Sequence, residues 1–304
     1  MTAHPKLFVT GAAGRLGCHV IDSLLDKVPA SVIVAGIRDP LKNKETVNSL
    51  RKKGVEVRIT DYSRPETLAQ AFTDVDRLLL ISSSENGKRK LQHRNVINAA
   101  KKAGVTLIAY TSILHADTSP LFLADEHRDT EAALAEAGIP FVLLRNGWYS
   151  EVYTWRLPLA IKNGVLLGAA GDGRISSAAR SDYAEAAATV LTENDHAGCI
   201  YELAGDTSFT LAELVAVVTE ASDQSLTYKN MAPEELYVAI LNSGQPEMVA
   251  KILSDTDAGI QKGALFEENG ALTRLIRRPT TPFQTTIVDF VHHLQTDSES
   301  SDHI

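Results

Sequence analysis

Six short apolar runs, KLFVT, SVIVAGI, VEVRIT, RLLLIS, TLIAYTS and FVLLRN, recur between residues 6 and 146, separated by segments of helical character. Strands that are apolar on both faces must be covered on both faces, and strands joined through helices run parallel. With right-handed crossovers the pattern predicts an α/β fold built on a doubly wound parallel sheet, in the strand order 3-2-1-4-5-6. Gly54, Gly104 and Gly138 each fall where a helix should stop before the next strand, the place for a left-handed residue.

After Asn146 the rhythm changes. GWYSEVYTWRLP is rich in aromatic residues, GVLLGAAGDGRISSAA is loop-like with one strand, and SDYAEAAATVLTEN is helical. YELAG is a further strand, TLAELVAVVTEAS is an amphipathic helix with Thr210 near its N-cap, and residues 226–295 are mostly helical. These segments predict a main domain over 1–147 and a smaller α/β lobe over 148–295, some of whose segments return to the main sheet. The polar run over 296–304 is expected to be a disordered tail.

A chain of 304 residues can bury a sizeable core. Its formal charge of −8 argues against a general nucleic-acid surface, and Lys88-Arg89-Lys90 reads as a solvated helix start. Cys18 and Cys199 are too few for a disulfide framework, and no His, Asp or Glu grouping has metal-ligand spacing. No stretch of about 20 apolar residues is present to span a membrane, and MTAHPK lacks the apolar core of a signal peptide. A cytoplasmic location is the expectation.

Between the first strand and the first helix stands Gly11-Ala12-Ala13-Gly14-Arg15-Leu16-Gly17, with glycines at three-residue spacing. In such a loop one glycine permits the tight turn, one lets backbone approach a pyrophosphate, and one allows close helix–strand packing. The helix start adds unpaired N–H groups and the positive end of its dipole. In this context the spacing predicts a dinucleotide site. At the end of the second strand, where NAD-preferring sites hold an acid for the ribose 2′-hydroxyl, this chain has Arg38. A guanidinium suits a 2′-phosphate through paired charged hydrogen bonds, so NADPH is favoured over NADH. Asp39 is expected to turn away before Pro40. Asp61 and Tyr62, after the third strand, can reach the adenine edge, and Ser82, Ser83 and Ser84, after the fourth, pass beneath the nicotinamide ribose and phosphates.

None of the eight tyrosines has a lysine four residues on, so the Tyr-x-x-x-Lys pair that protonates carbonyl substrates is absent. There is no G-x-S-x-G elbow either. A hydride acceptor that needs little acid assistance fits better, and quinones are such acceptors: the protein need only hold the ring over the nicotinamide and exclude water. At the end of the sixth strand Asn146 can hydrogen-bond a carbonyl, Gly147 lets the cofactor approach, and Trp148 and Tyr149 offer flat walls. The alternative for both aromatics is a core position gluing two lobes. His127, on the helix after the fifth strand, is the candidate proton donor, with a helix-surface histidine as the alternative; His93 and His115 are similarly open.

TGAAGRLG, LLLISSSE, QHRNVINAAKKAGV, IAYTSILHADTSPLFLADEH, LLRNGWYSE and YELAGD together resemble the NAD(P)H:quinone oxidoreductase type 2 group. This is the NmrA-like branch of the atypical short-chain dehydrogenases, and the resemblance runs from about residue 6 to residue 291. It implies a Rossmann fold with a small C-terminal lobe and flavin-free two-electron reduction of quinones by NADPH, in a monomer or homodimer. It carries cofactor contacts onto Gly11 to Gly17, Arg38, Ser82 to Ser84 and the Asn146–Tyr149 segment. His127 falls where other branches carry a lysine. Ala13 and Arg15 depart from the more usual Thr and Gln. Related proteins also reduce triphenylmethane dyes, and others bind the dinucleotide as non-catalytic redox sensors.

Replacing Arg38 with alanine is expected to raise the KM for NADPH far more than that for NADH in steady-state assays; equal effects on the two would remove the 2′-phosphate assignment.

Overall fold

The first apolar run becomes strand β1 (Leu7–Val9), fully buried, and the chain passes through the glycine loop into helix α1 (Arg15–Leu25). The alternation continues through β2 (Ile33–Ile37), α2 (Lys44–Lys52), β3 (Glu56–Ile59), α3 (Pro65–Ala71), β4 (Arg77–Leu80) and α4 (Arg89–Ala103). It ends with β5 (Leu107–Ile113), α5 (Phe122–Ala137) and β6 (Phe141–Asn146). The computed structural model describes residues 4–301. These six strands pair only in parallel, in the order β3-β2-β1-β4-β5-β6 that the alternation predicts. The order reverses between β1 and β4, which opens a crevice at the carboxyl ends of the strands. Gly104 and Gly138 close α4 and α5 in the left-handed conformation, as expected, and Gly54 adopts it just after α2.

Beyond β6 come α6 (Glu151–Thr154), α7 (Leu157–Asn163), β7 (Val165–Gly168), α8 (Arg180–Thr192), β8 (Ile200–Leu203) and α9 (Leu211–Ser222). They are followed by β9 (Thr227–Asn230), α10 (Pro233–Asn242), α11 (Glu247–Ile260), α12 (Ala271–Ile276) and α13 (Phe283–Ser301). The chain divides this half between two places. Strand β8 pairs in parallel with β6 as a seventh strand of the main sheet, and the alanine-rich α8 lies against α1. The remainder gathers round a separate two-stranded parallel sheet of β7 and β9. Its apolar cluster includes Phe209, Leu211 and Ile287, with Phe209 and Phe283 stacked at 3.8 Å between ring centroids. Thr210 caps α9 in a reciprocal capping box with Glu213.

The segment expected to be a disordered tail from residue 296 is helical as far as Ser301, and residues 302–304 lie outside the described residues. Phe283, Ile287 and Val291 anchor α13 in the lobe's cluster, and a helix nucleated by packing elongates at little further cost. Among the described residues no helix is long and apolar enough to cross a membrane.

One contact sets how closely α1 approaches the sheet. A Cβ on Gly17 would lie 2.3 Å from the Gly11 carbonyl oxygen and 2.7 Å from Ala12 Cα, both backbone atoms that cannot swing aside. Gly17→Ala is therefore expected to destabilise the fold by roughly 1–3 kcal/mol, read as a lower urea midpoint, and to weaken dinucleotide binding with it. An unchanged midpoint would show that the loop has slack the packing does not reveal.

Candidate functional site

A cavity of about 410 Å³ opens over the carboxyl ends of β1 to β4, lined by Gly11, Ala13 to Gly17, Ile37 to Asp39 and Ser82 to Ser84. Its floor is stitched by Thr10 and Tyr62. The Thr10 hydroxyl donates to the Leu79 carbonyl at 2.9 Å and accepts from the Ile81 N–H at 2.9 Å. The Tyr62 hydroxyl lies 2.5 Å from it and 2.9 Å from the Ile81 carbonyl. Three strand ends are thereby held in one register beneath the cleft.

The glycine loop presents what a pyrophosphate needs. Gly14 begins α1 without any side-chain cap, and the first helical hydrogen bond runs from the Cys18 N–H to the Gly14 carbonyl. The N–H groups of Arg15, Leu16 and Gly17 therefore end the helix without internal partners, beside the cavity these residues line. Arg15 and Arg180 stand at the starts of α1 and α8; burial lowers the Arg180 pKa against the opposing charge of Glu151, 3.7 Å away, and Arg15 adds a smaller lowering. Ala12 departs from the expectation: its side chain is wholly buried and its N–H is spent on the Gly36 carbonyl at 3.0 Å, so it shapes the loop from below.

Arg38 sits at the rim of the cavity with its side chain largely exposed. Asp39, expected to turn away, instead lines the cavity beside Arg38, with its carboxylate accepting the N–H groups of Leu41 and Lys42 at 3.1 Å each. Asp61 also lines the cavity and caps its own turn through the Ser63 N–H at 2.9 Å. Lys42, Asn43 and Gln92 line the cavity too, with Thr60, Tyr62 and Ile81. Lys42 and Asn43 were legible in principle, because they follow Arg38 within one short basic loop. Gln92 carried no such signal, since it reaches the cleft from α4.

Beneath the Ser82–Ser84 segment lies a buried polar network. The Ser83 N–H donates to His93 Nε2 at 3.0 Å, so that ring carries its proton on Nδ1, which donates to Thr130 Oγ1 at 2.9 Å. Arg89 donates from Nε to the Ser83 carbonyl at 2.5 Å and from Nη1 to His127 Nε2 at 3.3 Å. His127 then donates from Nδ1 to the Tyr110 hydroxyl at 2.8 Å. Two expectations need correction here. His127 is neither a proton donor at the cleft nor a surface histidine: it is 5 % exposed, both ring nitrogens are engaged, and burial, reinforced by Arg89, holds its pKa well below the ordinary range. Arg89 starts a helix as expected, but it is 9 % exposed and braces the serine loop rather than being solvated.

At the other end of the crevice, Asn146, Gly147, Trp148 and Tyr149 follow β6. Asn146 is buried and donates from Nδ2 to the Tyr149 hydroxyl at 3.4 Å, while its side-chain oxygen Oδ1 has no hydrogen-bond partner among the described residues. A buried acceptor of this kind costs free energy until a ligand donor satisfies it. Gly147 also sits in close packing with β8 and α8. Its N–H donates to the Leu203 carbonyl at 2.7 Å, and a Cβ would meet that oxygen at 3.1 Å and the Tyr183 hydroxyl at 3.0 Å. Tyr149 lies edge-on to Tyr183 and under the Arg180 guanidinium, 5.0 Å from its ring centroid. Burial raises its pKa, so the hydroxyl keeps its proton. Tyr149 packs against the main-sheet core and Trp148 against the lobe core, so the pair straddles the seam between them and remains partly exposed there.

A parallel sheet with this crevice, an uncapped helix start and a cation at the second strand end defines a dinucleotide-binding protein of the Rossmann type. The chain belongs to the NAD(P)H-binding family, whose profile matches residues 11–194. It is 51 % identical to quinone oxidoreductase 2 of Escherichia coli K12 over 286 residues, 94 % of this chain and 97 % of that protein. The crystal structure of the Escherichia coli NADPH-dependent quinone oxidoreductase complexed with NADPH superposes with a TM-score of 0.89 at 50 % identity, covering 95 % of this chain and 99 % of that one. The Citrobacter sp. triphenylmethane reductase complexed with NADP(H) matches with a TM-score of 0.88 at 37 % identity, over 93 % and 99 % of the two chains. The resemblance read from the motifs thus extends through nearly the whole molecule.

Burial, with Arg89 beside it, pulls the His93 pKa from its ordinary value of 6.5 down to about 3. The unfolded chain therefore takes up a proton that the native state refuses. The stability contributed by neutral His93 is complete above pH 6.5 and is lost progressively as the pH falls toward 3. Urea titrations are expected to lose up to about 1.4 kcal/mol per pH unit from this group across that window, and His93→Gln to flatten the slope. An equal slope in the variant would place the titration elsewhere.

Proposed function

We propose that this chain is an NADPH-dependent quinone reductase that converts a quinone to its hydroquinone by two-electron transfer without a flavin. The observation that carries the reading is the 51 % identity to the Escherichia coli quinone oxidoreductase across almost the entire length of both chains. The cleft suits NADPH through the uncapped start of α1 and the Arg38 guanidinium at the second strand end. Cys18 and Cys199 are both free thiols, in keeping with work in the reducing cytoplasm.

When bound, the cofactor supplies a hydride to the acceptor. The protein's part is orientation and exclusion of water. The N–H groups at the start of α1, with Arg15 and Arg180, hold the pyrophosphate, and Arg38 holds the 2′-phosphate. Gly11, Ala13, Gly14, Leu16, Asp61, Ser82, Ser83 and Ser84 shape the walls around the dinucleotide. Trp148 and Tyr149 form the acceptor's aromatic walls at the seam, and residues of the 148–295 lobe close the acceptor side. The Tyr149 hydroxyl, kept protonated by burial and oriented by the Asn146 amide, is the hydrogen-bond donor for a quinone oxygen. With His127 sealed away, the one proton that the hydroquinone needs beside the hydride comes from solvent. The likeness to the Citrobacter enzyme favours a second acceptor class, conjugated triphenylmethane dyes, at the same walls.

Flavin-free protein mixed with NADPH and a panel of benzoquinones, triphenylmethane dyes and simple aldehydes tests the reading by loss of NADPH absorbance. Rapid turnover of quinones and none of aldehydes is expected. Tight NADPH binding with no turnover of any acceptor would overturn it in favour of a dinucleotide sensor.

A further inference from the structure

Arg38 does not face solvent alone. Its Nη1 lies 2.5 Å from Oε1 of Glu85, a residue of the loop between β4 and α4. That loop reaches across from the other side of the topological reversal, 47 residues along the chain. The carboxylate is positioned by more than this one pair. Its other oxygen accepts from Gln92 Nε2 at 2.9 Å and lies 3.4 Å from Lys88 Nζ, and the Glu85 N–H donates to Ser83 Oγ at 3.1 Å. Gln92 is itself buried and tied through the same nitrogen to Ser63 Oγ at 3.0 Å. The Gln92 amide and then Arg38 hold the Glu85 carboxyl below the usual carboxylate range, so it is ionised at neutral pH.

We propose that Glu85 sets the nucleotide selectivity of the cleft by competing with the 2′-phosphate of NADPH for the Arg38 guanidinium. The inference rests on Arg38 being the 2′-phosphate ligand. A guanidinium engages a carboxylate and a phosphate through the same N–H donors, so the phosphate must displace an anion that the chain itself supplies. A carboxylate left beside the bound phosphate also repels it. Toward NADH the same residue acts in the opposite sense. NAD-preferring sites place an acid at the end of the second strand to accept the ribose 2′-hydroxyl. Here that strand ends in Arg38, and Glu85 brings an acid to the same corner from the loop after β4. Glu85 thus narrows the gap between the two cofactors from both ends, leaving a cleft that prefers NADPH without refusing NADH. Retaining such an exposed pair for stability alone gains little, because surface ion pairs contribute only about 0–1 kcal/mol.

The test is calorimetric titration of full-length wild-type protein, Glu85→Gln and Arg38→Ala with NADPH and NADH, and with 2′,5′-ADP and 5′-AMP as fragments lacking the nicotinamide. Glutamine keeps most of the side chain's shape and removes its charge. Glu85→Gln is expected to tighten NADPH and 2′,5′-ADP by roughly fivefold and to weaken NADH and 5′-AMP by about twofold. A general disturbance of the loop would move all four ligands in one direction, and that result overturns the proposal. An unchanged ratio of the two cofactors in Glu85→Gln, with NADPH binding selectively lost in Arg38→Ala, also overturns it while sparing the Arg38 assignment. If Arg38→Ala weakens both cofactors equally, it is the Arg38 assignment that fails, and the competition argued for Glu85 falls with it.

Discussion

Where α1 begins, its backbone rests directly on the backbone of the loop that precedes it. Gly17 leaves room for the Gly11 carbonyl oxygen and Ala12 Cα at distances that no side chain would permit. Much of the molecule follows from this approach. It lets Leu16, Val20 and Ile21 enter the core under β1 and lets α8 pack its alanines against the other side of α1. It also aims the uncapped helix start across the crevice. The fold and the cavity wall formed by the glycine loop therefore share one steric requirement.

The crevice is held from below by polar groups rather than by apolar packing alone. Ser83 hangs between His93 and Arg89, and the Arg89 charge lies against His127 in a region with almost no solvent. A buried network of this kind is tolerable only when each member finds a partner. In return, His93 and Arg89 fix the Ser83 N–H and carbonyl of the loop that lines the cavity. The cost appears on the acid side, where both histidines resist the protons that an unfolded chain would accept.

Two apolar cores meet at the Trp148–Tyr149 dipeptide, one ring packed on each. The two readings of these residues, as acceptor walls or as glue between lobes, are not exclusive. Partly exposed rings at a seam can be rigid because they are anchored on both sides, and rigidity is what a site working by orientation requires. Glu85 makes a comparable link on the cofactor side, joining the β4–α4 loop to the end of β2 through one guanidinium.

The alternation of apolar runs and helices, read without coordinates, determined the parallel sheet and its strand order, because a strand buried on both faces has few alternatives. Local chemistry also exposed the turn of the glycine loop and the Thr210 cap, each of which acts within a few residues of itself. What stayed hidden depends on long-range approach. Arg89 and His127 looked like a solvated helix start and a surface or catalytic histidine, and only the stacking of α4 on α5 buries them against each other. The closeness of β8 to Gly147 had no local sign either, since Leu203 lies far along the chain. Glu85 gave no local sign of pairing with Arg38, since the two come from strands on opposite sides of the reversal. Periodicity records which face of an element is buried; the tertiary structure decided which charges that burial brings together.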